Sequence, residues 1–156
     1  MVAFVAYHYP RKLVIHHLTD TMDPITQFHL DPETPNDTPE DPRASEIHSI
    51  DVIYGQGHTY VLLGMRHGSM ISCKLDRMDN SISFVEPQTT KFGQSQVEFI
   101  TATHDEVQRN LGPMERNSVF VRCEYLWQIN LKDGVLKINE VLFDDIRMVF
   151  RIGCEF

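Results

Sequence analysis

The chain has 156 residues, 42% of them apolar and 23% charged, the balance of a globular protein, which excludes wholesale disorder. Its 14 Lys and Arg stand against 22 Asp and Glu for a formal net charge of −8, and Arg11-Lys12 is the only adjacent basic pair, so nothing in the composition is built to grip a phosphate backbone. No stretch approaches the ~18 apolar residues of a membrane-spanning helix, and Met1 to Ala6 leads into Tyr7-His8-Tyr9-Pro10 and not into a cleavable signal.

From Ala3 to Leu18 two apolar runs flank Pro10 and read as short strands, a partial blade or edge over 1–22. Between Asp23 and Pro42 five prolines alternate with Asp31, Glu33, Asp37, Glu40 and Asp41, without a Lys or Arg. So little apolar surface cannot offset the entropy of ordering, and 23–45 is predicted to be an acidic surface loop. Its alternative reading is an acidic docking peptide for a basic partner.

Order is predicted to resume at Glu46. Ile47, Ile50, Val52 and Ile53 lead to Gly55-Gln56-Gly57, and Thr59 to Asp76 (TYVLLGMRHGSMISCKLD) then spells two apolar strands over a His67-Gly68 turn, with positive φ predicted at both turn residues. In the second arm Ile71, Cys73 and Leu75 are predicted to form one dry face opposite Met70, Ser72 and Lys74. Asp79-Asn80 reads as a turn into an alternating strand carrying Ile82 and Phe84, and Pro87 either ends that strand or confines it to an edge.

A run begins over 97–103, and Glu106 to Asn117 reads as a loop around Gly112-Pro113. Ser118 to Leu131 alternates throughout, Val119, Val121, Cys123 and Tyr125 against Phe120, Arg122 and Glu124, and is predicted to be one long strand. Asp133-Gly134 turns it into Val135 to Phe143. A last strand is predicted over 146–152, with Ile146, Met148, Phe150 and Ile152 on one side. No apolar spacing of three and four residues is long enough to predict a helix.

Strand after strand with frequent turn signals points to a sandwich, barrel or propeller. Two comparable four-stranded units can be drawn, over 46–92 and 93–156, each near the size of a propeller blade. The fold class predicted is all-β: two to three four-stranded antiparallel blades of a WD40-like β-propeller, an incomplete wheel.

The residues offer little chemistry. His16-His17 would point to opposite faces of a strand, and the eight histidines include no H-x-H or H-E-x-x-H spacing. His67 is accounted for by its turn and His58 by a loop. Ser69 and Ser72 lack a nucleophile elbow, and Gly64-x-x-x-Gly68 is not followed by Lys-Ser or Lys-Thr. Glu140 with Asp144-Asp145 reads as a solvated turn. Cys73, Cys123 and Cys154 are odd in number and lack Cys-x-x-Cys spacing, so buried thiols in a reducing compartment are expected, with Cys73 and Cys123 inside strands. No catalytic residue, cofactor or metal is predicted. Phe120, Tyr125 and Trp127 are the candidate interface, with packing between blades as the competing explanation.

The Thr59 to Asp76 hairpin, the link Phe92-Gly93-Gln94-Ser95-Gln96-Val97 and the strand from Asn117 to Trp127 follow one another in an order that resembles a known family. This is the triple-β-propeller superfamily of damaged-DNA-binding protein 1, the A subunit of cleavage and polyadenylation specificity factor and a related splicing-factor subunit. The chain has Gln96 and Leu126 where that family often has proline. The resemblance covers roughly Glu46 to Val149 and implies a piece of a much longer propeller subunit. It further implies a non-enzymatic scaffold in a nuclear ubiquitin-ligase, DNA-repair or RNA-processing assembly, with some presence in the cytoplasm. The expected partners are other protein subunits, with nucleic acid reached through the complex and no membrane. The alternatives are a direct nucleic-acid-binding subunit and a small ligand-binding β-barrel.

Overall fold

A computed structural model describes residues 2–7, 12–17, 24–29, 46–78, 81–100 and 116–141. They form eleven strands in three antiparallel sheets, without a helix among the described residues. The first sheet is a meander of β1 (Val2–Tyr7), β2 (Lys12–His17) and β3 (Pro24–His29). The middle sheet runs β4 (Ile47–Gly55), β5 (His58–Met65), β6 (Ser69–Met78) and β7 (Ser81–Lys91), each strand pairing with the next. The third contains β8 (Glu98–Ile100), β9 (Ser118–Arg122), β10 (Leu126–Lys132) and β11 (Val135–Glu140), again in chain order. All three are open among the described residues.

The sheets stack, and β5 shows why. Every residue from Tyr60 to Met65 is buried, the mark of a strand covered on both faces. Leu13 and Ile15 of β2 join Ile47, Val61, Leu63, Met65, Cys73 and Phe84 in one core between the first and middle sheets. Ile53, Tyr60, Leu62 and Met70 point the opposite way and meet Val97, Val119, Val121, Ile129 and Leu131 in a second core between the middle and third sheets. Leu62 and Leu63 are each fully buried, in different cores. At ~1.5–3 kcal/mol per buried aliphatic side chain, these two layers are the main stabilisation available to the fold. The single dry face predicted for β6 is therefore corrected: Met70 and Ser72, on the face read as polar, are buried as well as Cys73.

Four further local expectations change. The 118–131 run is not one strand but β9 and β10 folded back on each other, pairing Arg122 with Leu126 around a Cys123-Glu124-Tyr125 bend. Cys123 thus lies in the bend and outside any strand. The first hairpin pairs Gly64 with Met70, so its loop is three residues, Arg66-His67-Gly68, and only Gly68 has positive φ (72°). A three-residue loop needs the left-handed conformation at one position, which glycine fills without a Cβ penalty. Pro24–His29, inside the segment read as an acidic loop, pairs with β2. His58, assigned to a loop, opens β5 opposite Gly55.

Other turns form as the residues require. Asp133 (φ 54°) and Gly134 (φ 74°) make a two-residue connection between Lys132 and Val135, and Gln56 (φ 51°) with Gly57 (φ 80°) makes another between Gly55 and His58. Strand β7 lies at the edge of its sheet and continues through Pro87, where Cys73 faces both Glu86 and Pro87 in a bulge. A bulge at an edge is where the missing N–H of proline costs least. The turn expected at Asp79-Asn80, most of the acidic segment, the loop around Gly112-Pro113, Asp144-Asp145, Cys154 and the 146–152 strand lie outside the described residues.

Candidate functional site

The middle and third sheets are joined at both ends by turns that dock on the neighbouring sheet. At one end the Arg66-His67-Gly68 loop sits on the link between β7 and β8: the N–H groups of Phe92 and Gly93 both donate to the Gly68 carbonyl, at 2.8 and 3.2 Å. A Cβ on Gly68 would stand 2.2 Å from the Gly93 carbonyl oxygen. The other side of the link meets the Cys123–Tyr125 bend. The Gln94 N–H donates to Glu124 Oε1 at 3.1 Å, and the Cys123 thiol donates to the Ser95 carbonyl at 3.1 Å. Three connections from two sheets therefore converge, with His67, Gln94, Ser95, Glu124 and Tyr125 exposed, Tyr125 at 61%.

At the opposite end the Asp133-Gly134 turn docks on β5. The buried Tyr60 hydroxyl donates to the Gly134 carbonyl at 2.9 Å, and a Cβ on Gly134 would lie 2.7 Å from His58 Nε2. Burial, the largest cause, raises the Tyr60 pKa. Beside this turn, Arg116 donates to Asp51 Oδ2 at 2.6 Å and its carbonyl accepts the Tyr54 N–H at 2.7 Å, tying the entry of β9 to β4.

The candidate aromatic residues are not brought together. Trp127 points into the second core and its ring packs against Phe92, centroids 5.3 Å apart at 52°, a tilted arrangement favoured by ring quadrupoles. Its buried indole N–H has no hydrogen-bond partner. Phe120 pairs with Gln128 on the opposite face of the third sheet, and Tyr125 stands in the bend. Trp127 is thus a core residue, and Tyr125 alone of the three is largely exposed.

Titratable groups give no convergent cluster: no three His, Cys, Asp or Glu side chains among the described residues gather around a point where an ion could sit. Burial pushes the Cys73 thiol up to about 11, so it stays protonated and unreactive. Glu98 accepts hydrogen bonds from Arg122 and from Gln96 (2.7 Å), which hold its carboxyl below the ordinary range, and His48 stands 3.7 Å away on β4. Of these contacts only the one to His48 crosses between the middle and third sheets, since Glu98 and Arg122 lie opposite each other on β8 and β9. The signal that sequence reasoning missed was the bend itself, which contains neither Gly nor Pro. No family model matches the chain, and no curated protein matches it.

Proposed function

We propose that the three sheets are successive blades of a β-propeller and that the chain works as a non-enzymatic protein-interaction scaffold. The observation that carries the reading is the middle sheet, a four-stranded meander covered on both faces by neighbouring meanders. A sheet with two dry faces has only its turn ends and edges to present to a partner. Strand β4, the first of its sheet, lies beside β1 on one side and β8 on the other, as the inner strands of adjacent blades would. The resemblance to the triple-propeller superfamily adds the class of assembly, a nuclear ubiquitin-ligase, repair or RNA-processing complex. Within the molecule, the end that carries Tyr125 is the surface offered, since an exposed tyrosine among adaptable polar groups is a common anchor at interfaces.

The charge arrangement weighs against direct nucleic-acid binding. Arg66 pairs with Glu46, Arg116 with Asp51 and Arg122 with Glu98, so three of the arginines are already neutralised on a chain of net charge −8. Fluorescence anisotropy with single-stranded and duplex DNA and RNA should show no binding at 0.15 M salt. A submicromolar affinity falling steeply with salt would replace the scaffold by a nucleic-acid-binding subunit. A photo-crosslinking residue at position 125 should give discrete protein adducts in cells, and one at position 136, facing the second core, should not. Equal labelling at both positions would remove the surface assigned here.

A further inference from the structure

The end of the molecule that carries Tyr125 has its cations engaged and its acceptors open. Arg66 is paired with Glu46 and Arg122 with Glu98, and Lys91 Nζ donates to the His67 carbonyl. Glu124 has no counter-ion among the described residues. Its Oε1 accepts the Gln94 N–H at 3.1 Å, and its Oε2 lies 2.6 Å from where a Cβ on Gly93 would stand. The bare glycine thus gives the carboxylate its seat. Beside it Gln94 and Ser95 are exposed, and Glu140, opposite Trp127, is a second exposed carboxylate outside the ion pairs of the described residues.

An aromatic face follows this carboxylate in the chain. Tyr125 is 61% exposed, and its carbonyl accepts the Cys123 N–H at 3.0 Å, which fixes the backbone of the bend. An open ring, a seated carboxylate and the neutral acceptors of Gln94 and Ser95 together match one kind of side chain. A guanidinium has five N–H donors and no acceptor, stacks on aromatic rings and pairs with carboxylates. An ammonium offers three donors and no flat face to stack. An anionic group would meet Glu124 and Glu140 without a free cation to receive it. The net charge of −8 draws a basic partner in from a distance.

We propose that the Tyr125 end receives a basic segment of a partner protein, with an arginine laid over the Tyr125 ring and paired with Glu124. This rests on the reading of that end as the surface offered to partners, and adds the chemistry of what it takes. The site is prepared for the cation before it arrives. The Gln94 N–H already holds Glu124 against Gly93, so little side-chain entropy remains to be lost on pairing. Tyr125 supplies the cation–π contact and Glu124 the charge.

Titrating the full chain with a capped Gly-Gly-Arg-Gly-Gly peptide at ~0.15 M salt, read by nuclear magnetic resonance at the Tyr125 ring and the Glu124 amide, tests this. Both signals should move saturably, and the same peptide with citrulline or glutamate in place of arginine should bind about fivefold more weakly. Glu124→Gln keeps an acceptor for the Gln94 N–H and removes the charge. It should weaken binding of the arginine peptide about threefold, as should Tyr125→Leu. Asp133→Asn, the same change in net charge at the opposite end, should leave it unchanged. Signals that stay still, arginine and citrulline peptides that bind alike, or Glu124→Gln no weaker than Asp133→Asn would each overturn the proposal. Preference for the glutamate peptide would overturn it too and make the partner acidic. A partner captured at position 125 while the arginine peptide moves nothing ends this inference and keeps the interaction surface. Peptide binding with no capture in cells removes that surface's role and keeps the chemistry, so the two readings fail separately.

Discussion

Gly68 and Gly57 both have positive φ, 72° and 80°, but their surroundings differ in a way that separates conformational strain from steric clash. Nothing lies within 4 Å of a Cβ on Gly57, so Gly57→Ala should cost only the left-handed penalty, about 1 kcal/mol. Gly68→Ala carries the same penalty and also drives a methyl into the Gly93 backbone, so urea denaturation should show a loss about 2 kcal/mol larger. Equal losses would mean that the loop and link are not in contact. At Cys73 the folded pKa of about 11 lies above the unfolded value of ~8.5, so the folded state holds its proton more tightly. Its contribution is full below pH ~8.5 and is lost as pH rises toward 11. The difference in stability between the unaltered chain and Cys73→Ala should therefore shrink over that window, by ~1–3 kcal/mol in denaturant titrations. The Asp133-Gly134 pair was legible because both residue types favour the conformation they adopt. His67 was misread because a two-residue and a three-residue loop can share one Gly.

The elements show where periodicity loses information. Arg122 pairs with Leu126, so paired positions on β9 and β10 sum to an even number and odd residues on both strands share the inward face. A three-residue bend keeps that parity, and the alternation from Val119 to Leu131 passes through the reversal unbroken. Only a Gly or Pro would have marked it, and the bend has neither. Parity also makes the bend sensitive to length. Deleting Glu124 forces a choice between a two-residue loop, which keeps Arg122 opposite Leu126 but demands positive φ of Cys123 and Tyr125, and a three-residue loop, which moves Arg122 opposite Trp127 and turns Trp127, Ile129 and Leu131 outward; either way near-ultraviolet circular dichroism should show lost tertiary order. Glu124→Ala keeps the length and removes one exposed hydrogen bond, a cost of about 1 kcal/mol or less. A deletion as mild as the substitution would show that the bend closes over two residues without strain. By contrast the β4 to β7 meander was largely legible, since Gly-containing turns and apolar runs agreed there.

For the whole molecule, all-β architecture and unit size could be read from turn spacing, but the stacking could not. Alternation shows that a strand has a buried side and cannot say which sheet covers it. Leu62 and Leu63 are equally apolar in the sequence and belong to different cores. The stacking makes stability interdependent. A chain ending at Lys91 would leave Ile53, Tyr60, Leu62 and Met70 uncovered, and should unfold without a cooperative transition and bind a hydrophobic dye. A sharp transition in that truncated chain would mean that the first two sheets are self-sufficient.

The two docked turns have a mechanical consequence. Gln94 and Ser95 of the link are bonded to Glu124 and Cys123 of the bend at one end of the seam, and Tyr60 holds Gly134 at the other. A pair of sheets fastened at one end can swing apart about the other as a hinge. Fastened at both, the middle and third sheets must break a tie before either end opens, so a partner engaging Tyr125 would meet a rigid platform, and the ordering entropy of the exposed end would already have been spent in folding.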